Sequence, residues 1–150
     1  PRALCHRSIL ANPADPTMKD ILNNRVKHRE PFRPFAPSVI EEEQYRYFNL
    51  LQDSPYMLLA TTVKPEYREK LASITHVDGT ARVQSVSKES EPFIHMLLLE
   101  LKKKLGFPVV LNTSFNVAGQ PIVESPDDAI DTFLLNDIDI LVIGSYVVTK

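Results

Sequence analysis

Lys27, Arg29 and Arg33 fall within seven residues, interleaved with Phe32, Phe35, Pro31, Pro34 and Pro37. Proline fixes its own φ and pushes the preceding residue toward extended conformations, so 27–37 reads as a stiff, extended segment that cannot continue a helix. Alternate side chains of an extended chain share a face, which lets the three cations converge. Arg suits phosphate or carboxylate through its planar fork, and Lys does so as a point charge. A solvated basic loop is the bland alternative, and the proline and aromatic interleaving favours an anion site over it. A second cluster follows an apolar run, where Asn112, Thr113, Ser114 and Asn116 offer hydroxyls, amides and backbone N–H groups at a strand end. Strand ends of this kind gather ligands in α/β folds and bind anions through backbone nests; a plain polar turn is the competing reading. A third candidate is Arg82, just beyond Asp78-Gly79. It is either solvent-facing or functional. His76 reads as a core histidine or one that supports a site, rather than as a catalyst.

The elements that must position these groups follow from pattern. Asp15-Pro16 predicts an N-cap and first turn, and Met18, Ile21, Leu22 and Val26 continue at helical spacing over about 16–26. Residues 35–40 read as a strand and 41–48 as a short helix. The apolar run 56–63 predicts a buried strand, and 65–71 a short helix. Asp78-Gly79 within 74–86 predicts a two-residue hairpin that sets Arg82 mid-strand. Residues 92–106 form the clearest helix, with a stripe of Phe93, Leu97, Leu101 and Leu105 and a stop at Gly106. The Lys102–Lys104 run reads as a solvated end that complements the helix dipole. A buried strand at 109–111 leads into the polar cluster, a capped helix spans 125–135, and a final strand covers 138–148. The sum is an α/β fold: a twisted mixed sheet flanked by helices, in one domain.

Composition narrows the function classes. The 150 residues are 43% hydrophobic and 24% charged, ordinary for a globular fold. No apolar run approaches a membrane span. A single cysteine, Cys5, excludes an internal disulfide and fits a reducing, cytoplasmic setting. The four histidines lack ligand-like spacing, so no metal site is expected in this chain. The net charge of −2 hides an asymmetry: residues 1–37 hold seven Lys/Arg against three acids, whereas the other 113 hold ten against sixteen. A cationic end on an acidic body points to focused anion binding and away from a nucleic-acid coat. The start at Pro1, without an initiator Met, reads as a fragment of a longer chain.

Taken together, the blocks PRALxxRSILA, VKxREPFRPFAP, THVDGTARVQ, LNTSFNxxGxPI and SPDDAIDTF resemble the C-terminal domain of O-carbamoyltransferases of the nodulation-protein and antibiotic-biosynthesis type. The resemblance covers nearly the whole chain. It implies a fold like that of threonylcarbamoyl-adenylate synthases, with a central basic cavity. It also implies that the domain binds carbamoyl phosphate and ATP, the latter with Mg²⁺, and makes carbamoyl-adenylate. An N-terminal, metal-binding transferase domain outside this sequence would then carbamoylate a hydroxyl. The catalytic set it implies is Lys27, Arg33, Arg82 and Ser114, with Arg2, Arg29, Asn112, Thr113 and Asn116 binding substrate or ATP. This sequence departs from the family at Cys5, where glycine is usual, and a larger side chain there would restrict the backbone near Arg2 and Arg7. Two other classes compete: a non-catalytic nucleotide- or RNA-binding module of the same fold, and a scaffold that only docks on its partner domain. The acidic bulk argues against RNA, and the gathered like charges argue against a scaffold.

Overall fold

The structure, a computed structural model that describes residues 3–150, is built on a five-stranded mixed sheet. In chain order its strands are β1 (Ser8–Ala11), β2 (Ala36–Ile40), β3 (Leu59–Thr62), β4 (Thr80–Val86) and β5 (Val109–Ser114). Their spatial order is β1-β5-β2-β4-β3, with β2 and β4 parallel and every other pair antiparallel. All five residues of β2 are buried, as a strand covered on both faces requires. One face of the sheet, carrying Val39, Val83, Val109 and Leu111, joins the larger core with Leu22, Val26, Phe107 and Phe133. The opposite face places Ile40, Val86 and Val110 against Ile94 and Leu98 of a long helix. Burying a side chain such as Leu98 contributes about 1.5–3 kcal/mol.

That helix, Pro92–Leu105, is the third of four, after α1 (Met18–Ile21) and α2 (Gln44–Tyr47) and before α4 (Pro126–Leu135). Gly106, at φ +81°, closes α3 and donates its N–H to Lys102 O at 2.8 Å. The buried stripe of α3 is Ile94 and Leu98, whereas Phe93 is exposed and Leu97, Leu101 and Leu105 are half-buried. Both rows are apolar at helical spacing, so periodicity alone could not choose between them. Lys102 is not simply solvated, since it pairs with Glu43 while His95 Nε2 meets Glu42 Oε1 at 3.0 Å. These two contacts tether α3 to the 3-10 turn Glu41–Glu43 that leads into α2.

Several sequence expectations shift. The first helix starts at Met18, because Asp15 Oδ1 caps Thr17 N and Oγ1 in a local turn, at 2.8 and 2.7 Å, instead of serving as N-cap. The apolar run before Val63 yields only the four-residue β3, which lies at the sheet edge with alternating burial. Met57 turns the chain at φ +56°, and Tyr56 and Leu58 are exposed. The hairpin at Asp78-Gly79 keeps its turn, with Gly79 at φ +80°. The residues before the turn form a 3-10 turn, Ala72–Ile74, and β4 pairs with β3 and β2 instead. The C-terminal strand divides at Gly144, at φ +58°, into a separate hairpin of β6 (Ile140–Ile143) and β7 (Tyr146–Thr149). The α4 expectation holds in detail: Ser125 Oγ accepts from Asp128 N while the Asp128 carboxylate accepts from Ser125 N.

Candidate functional site

The open end of the α3-covered face carries the site. Helix α3 covers only the half of that face around Ile40, Val86 and Val110. Beyond it, Ala60 stands opposite Arg82, and Ala36 opposite Asn112. The small side chains of Ala36 and Ala60 leave room around the Arg82 guanidinium, and a cleft of about 350 Å³ opens there, lined also by Arg29, Arg33 and His76. A second lobe of about 300 Å³ shares Arg29 and Arg33 and continues to Lys27, Glu30, Ser114 and Asn116.

The basic segment reaches this cleft by a route that its prolines did not predict. Helix α1 runs directly into a π-helical stretch, Leu22–Lys27, so Lys27 is helical rather than part of an extended strand. His28 then reverses the chain in the left-handed region at φ +48°, and Arg33 N bonds Glu30 O at 3.2 Å to make a second turn. Asn23, fully buried, holds the loop together. Its Nδ2 donates to Pro31 O and Arg33 O, both at 3.3 Å, and its Oδ1 accepts from Arg29 Nε at 2.8 Å. Prolines lacking an N–H cannot close such a loop by themselves, and the side-chain amide supplies the missing bonds. Nothing in its spacing marked Asn23 beforehand.

Lys27 is the most constrained of the cations. Its Nζ, 3% exposed as a residue, donates to Ser114 O and Asn116 O at 2.7 Å and to Asn116 Oδ1 at 2.8 Å, with Ser114 Oγ at 3.3 Å. Ser114 Oγ in turn donates to Asn116 Oδ1 at 2.6 Å. Burial, then Arg29 and Arg33, push the lysine down from 10.5 to about 8. Arg29 lies 4.6 Å above the Phe35 ring, on its bond to Asn23. Arg33 is exposed and faces Glu30 at 3.7 Å, a loose pair of little energetic weight. Arg82 is exposed, and its guanidinium has no hydrogen bond or ion pair among the described residues. A guanidinium left free beside two others is arranged to meet an anion.

The sequence-predicted residues are therefore not all brought together. Lys27, Arg29, Arg33, Ser114 and Asn116 line one lobe, and Arg29, Arg33 and Arg82 the other. Asn112 lies beneath them, with Nδ2 bonded to Ser38 Oγ and Gln84 Oε1 at 3.0 Å and to Cys5 Sγ at 3.2 Å. Thr113 alternates to the opposite face of β5, away from Asn112 and Ser114. Arg2 lies outside the described residues. Cys5 adopts φ +68°, a conformation that glycine takes without strain, and its buried thiol is pushed up to about 11 chiefly by burial. Arg7 is committed to the fold, donating to Val123 O at 2.9 Å. His76, read from sequence as a core or supporting residue, lines the cleft beside the three arginines.

Comparison with known proteins agrees with the motif reading. The carbamoyltransferase C-terminus family matches residues 1–150. Nodulation protein NolNO of Sinorhizobium fredii is 47% identical over 153 residues, covering 100% of this chain and 22% of that protein. Nodulation protein NolO of Bradyrhizobium diazoefficiens is 46% identical over 153 residues, covering 100% of this chain and 28% of that protein. An uncharacterized protein of Methanocaldococcus jannaschii is 45% identical over 150 residues, covering 100% of this chain and 25% of its own length. The chain thus spans roughly a quarter of these relatives, and it belongs to the carbamoyltransferase C-terminus family.

Proposed function

We propose that this domain binds carbamoyl phosphate and ATP and forms carbamoyl-adenylate, with a fold of the threonylcarbamoyl-adenylate-synthase kind. The observation that carries the reading is the two-lobed cleft in which Arg29, Arg33 and the unpaired Arg82 converge. Carbamoyl phosphate, ATP and one water balance to carbamoyl-adenylate, pyrophosphate and inorganic phosphate. In the adenylating step a carbamate oxygen bonds the α-phosphorus, the bond to the β-phosphate breaks, and charge grows on the phosphoryl oxygens. Fixed cations in a small, partly desolvated cleft stabilise that charge without reorganising. Arg82 is free to do this, Arg33 is engaged only in its loose pair with Glu30, and Arg29 is held ready by Asn23 and Phe35. Lys27 plays a different part, because its ammonium is spent on the Ser114–Asn116 turn. It fixes that turn and adds positive potential from behind it. Among the described residues Glu30 is the only carboxylate lining the cleft, and no trio of described His, Cys, Asp or Glu side chains could hold a metal. Mg²⁺ would therefore arrive on the nucleotide phosphates.

Transfer of the carbamoyl group to a hydroxyl belongs, in this reading, to the part of the protein that the relatives carry outside this segment. The test is pyrophosphate release from ATP by the full chain, with and without carbamoyl phosphate. Release that depends on carbamoyl phosphate and falls about 10²-fold in Arg82→Ala supports adenylation at this cleft. Tight binding of single-stranded RNA that weakens steeply with salt, without pyrophosphate release, would replace it with the nucleic-acid reading.

A further inference from the structure

The Arg82 lobe holds many donors and almost no acceptors. Of the eight described residues that line it, the three arginines only donate, and the side chains of Pro34, Phe35, Ala36 and Ala60 do neither. His76 is the one side chain there with a lone pair to offer. Its position is over-determined: its N–H donates to Thr80 O, and its carbonyl accepts from Gly79 N, both at 2.8 Å. Its tautomer is also set. Thr80 has one hydroxyl hydrogen and donates it to Asp78 Oδ1 at 2.7 Å, and that carboxylate is held below its usual range first by the Thr80 hydroxyl and then by the Thr80 N–H. The 3.1 Å contact between His76 Nδ1 and Thr80 Oγ1 must then run from Nδ1–H to the oxygen. In the neutral ring this leaves Nε2 as a bare acceptor, with no partner among the described residues.

We infer that His76 Nε2 accepts a hydrogen bond from the NH₂ of the carbamoyl group and so makes the cleft select a carbamoyl phosphate over an acyl phosphate of the same shape. The inference rests on the proposed function, since it assigns the donor end of that ligand once its phosphate meets the arginines. Carbamoyl phosphate has acceptor oxygens for the three guanidinium groups and two N–H donors at its other end. Pro34 O, a further acceptor nearby, already receives Arg29 Nη2 at 3.5 Å. Acetyl phosphate replaces the NH₂ with a methyl and would leave Nε2 desolvated and unpaired. A site built around a donor rejects the analogue that lacks it.

The measurement is calorimetric binding of carbamoyl phosphate and acetyl phosphate to the full chain, for wild type, His76→Leu and His76→Gln. Gln can present its amide oxygen where Nε2 stood, whereas Leu fills the space without an acceptor. The expected result is a wild-type preference for carbamoyl phosphate of about tenfold or more. His76→Leu should abolish it by weakening carbamoyl phosphate alone, and His76→Gln should restore most of it. Equal weakening of both phosphates in His76→Leu would reduce His76 to a prop for the turn and overturn the assignment. An unchanged ratio would do the same while leaving the anion site standing. A wild-type chain that binds neither phosphate would remove the proposed function, and this inference with it.

Discussion

At the scale of single residues, Lys27 makes the sharpest predictions, because its pH responses in stability and in binding have opposite signs. Its ammonium loses its proton near pH 8 when folded and near 10.5 when unfolded. Below about 8 both states are protonated and the fold bears the full penalty of burying the charge. Between about 8 and 10.5 the unfolded chain holds the extra proton, so this group's contribution to stability rises with pH. Anion binding runs the other way, since a bound anion favours the ammonium. Affinity should fall as pH rises through about 8, and calorimetry at pH 8 in buffers of different ionisation enthalpy should register proton uptake. Lys27→Met should abolish that uptake. It should also strip the donor from two backbone carbonyls, at about 3 kcal/mol, seen as a lower melting temperature. Arg82→Ala should leave melting unchanged, because nothing in the fold leans on its guanidinium. Cys5 gives a third test. A buried thiol near 11 should resist alkylation at pH 8 in the native protein and react readily in urea. Residue types alone singled out Lys27, Arg29 and Arg33 and the cluster around Ser114 as candidates, and left Arg82 open between a solvent-facing and a functional role. They could not show that Lys27 would be turned inward, since burial by oxygens 87 to 89 positions away leaves no local pattern.

At the scale of elements, sequence signals succeeded where a feature is closed by its own neighbours. Ser125 and Asp128 cap each other, and Gly106 ends α3, so both helices were legible to the residue. Ser125→Ala should accordingly cost about 1 kcal/mol and lower the melting temperature by a few degrees. The signals failed where tertiary partners decide. Asp78-Gly79 does form a turn, but β4 finds its neighbours in β2 and β3 instead of in the residues before the turn. The apolar residues before Val63 promised a buried strand, but β3 begins only at Leu59 on the sheet edge and leaves Tyr56 and Leu58 exposed. The π-helical stretch was invisible to a 3.6-residue period. Its wider turn brings Asn23 and Lys27 to the loop together, and Asn23→Leu should loosen the loop. The expected signature is weaker phosphate binding with a modest change in melting temperature, read by calorimetry and thermal denaturation.

At the scale of the molecule, the sheet is covered by α3 over one half of a face and left open over the other, and Lys27, Arg29 and Arg33 gather at the open half. Composition had shown a charge asymmetry, and the topology brings three of its cations to the cleft. Strand order β1-β5-β2-β4-β3 interleaves early and late sequence, so the cleft joins residues from 27 to 119. This has a consequence in time. During synthesis Lys27, Arg29 and Arg33 emerge well before the oxygens of Ser114 and Asn116 that hold the lysine, which lie 87 and 89 positions after it. Until then Lys27 lacks the oxygens that hold its ammonium, and β2 lacks β5, one of its two neighbours. The cleft must therefore be among the last parts of the domain to mature, and a nascent chain halted before Asn116 should show no saturable phosphate binding.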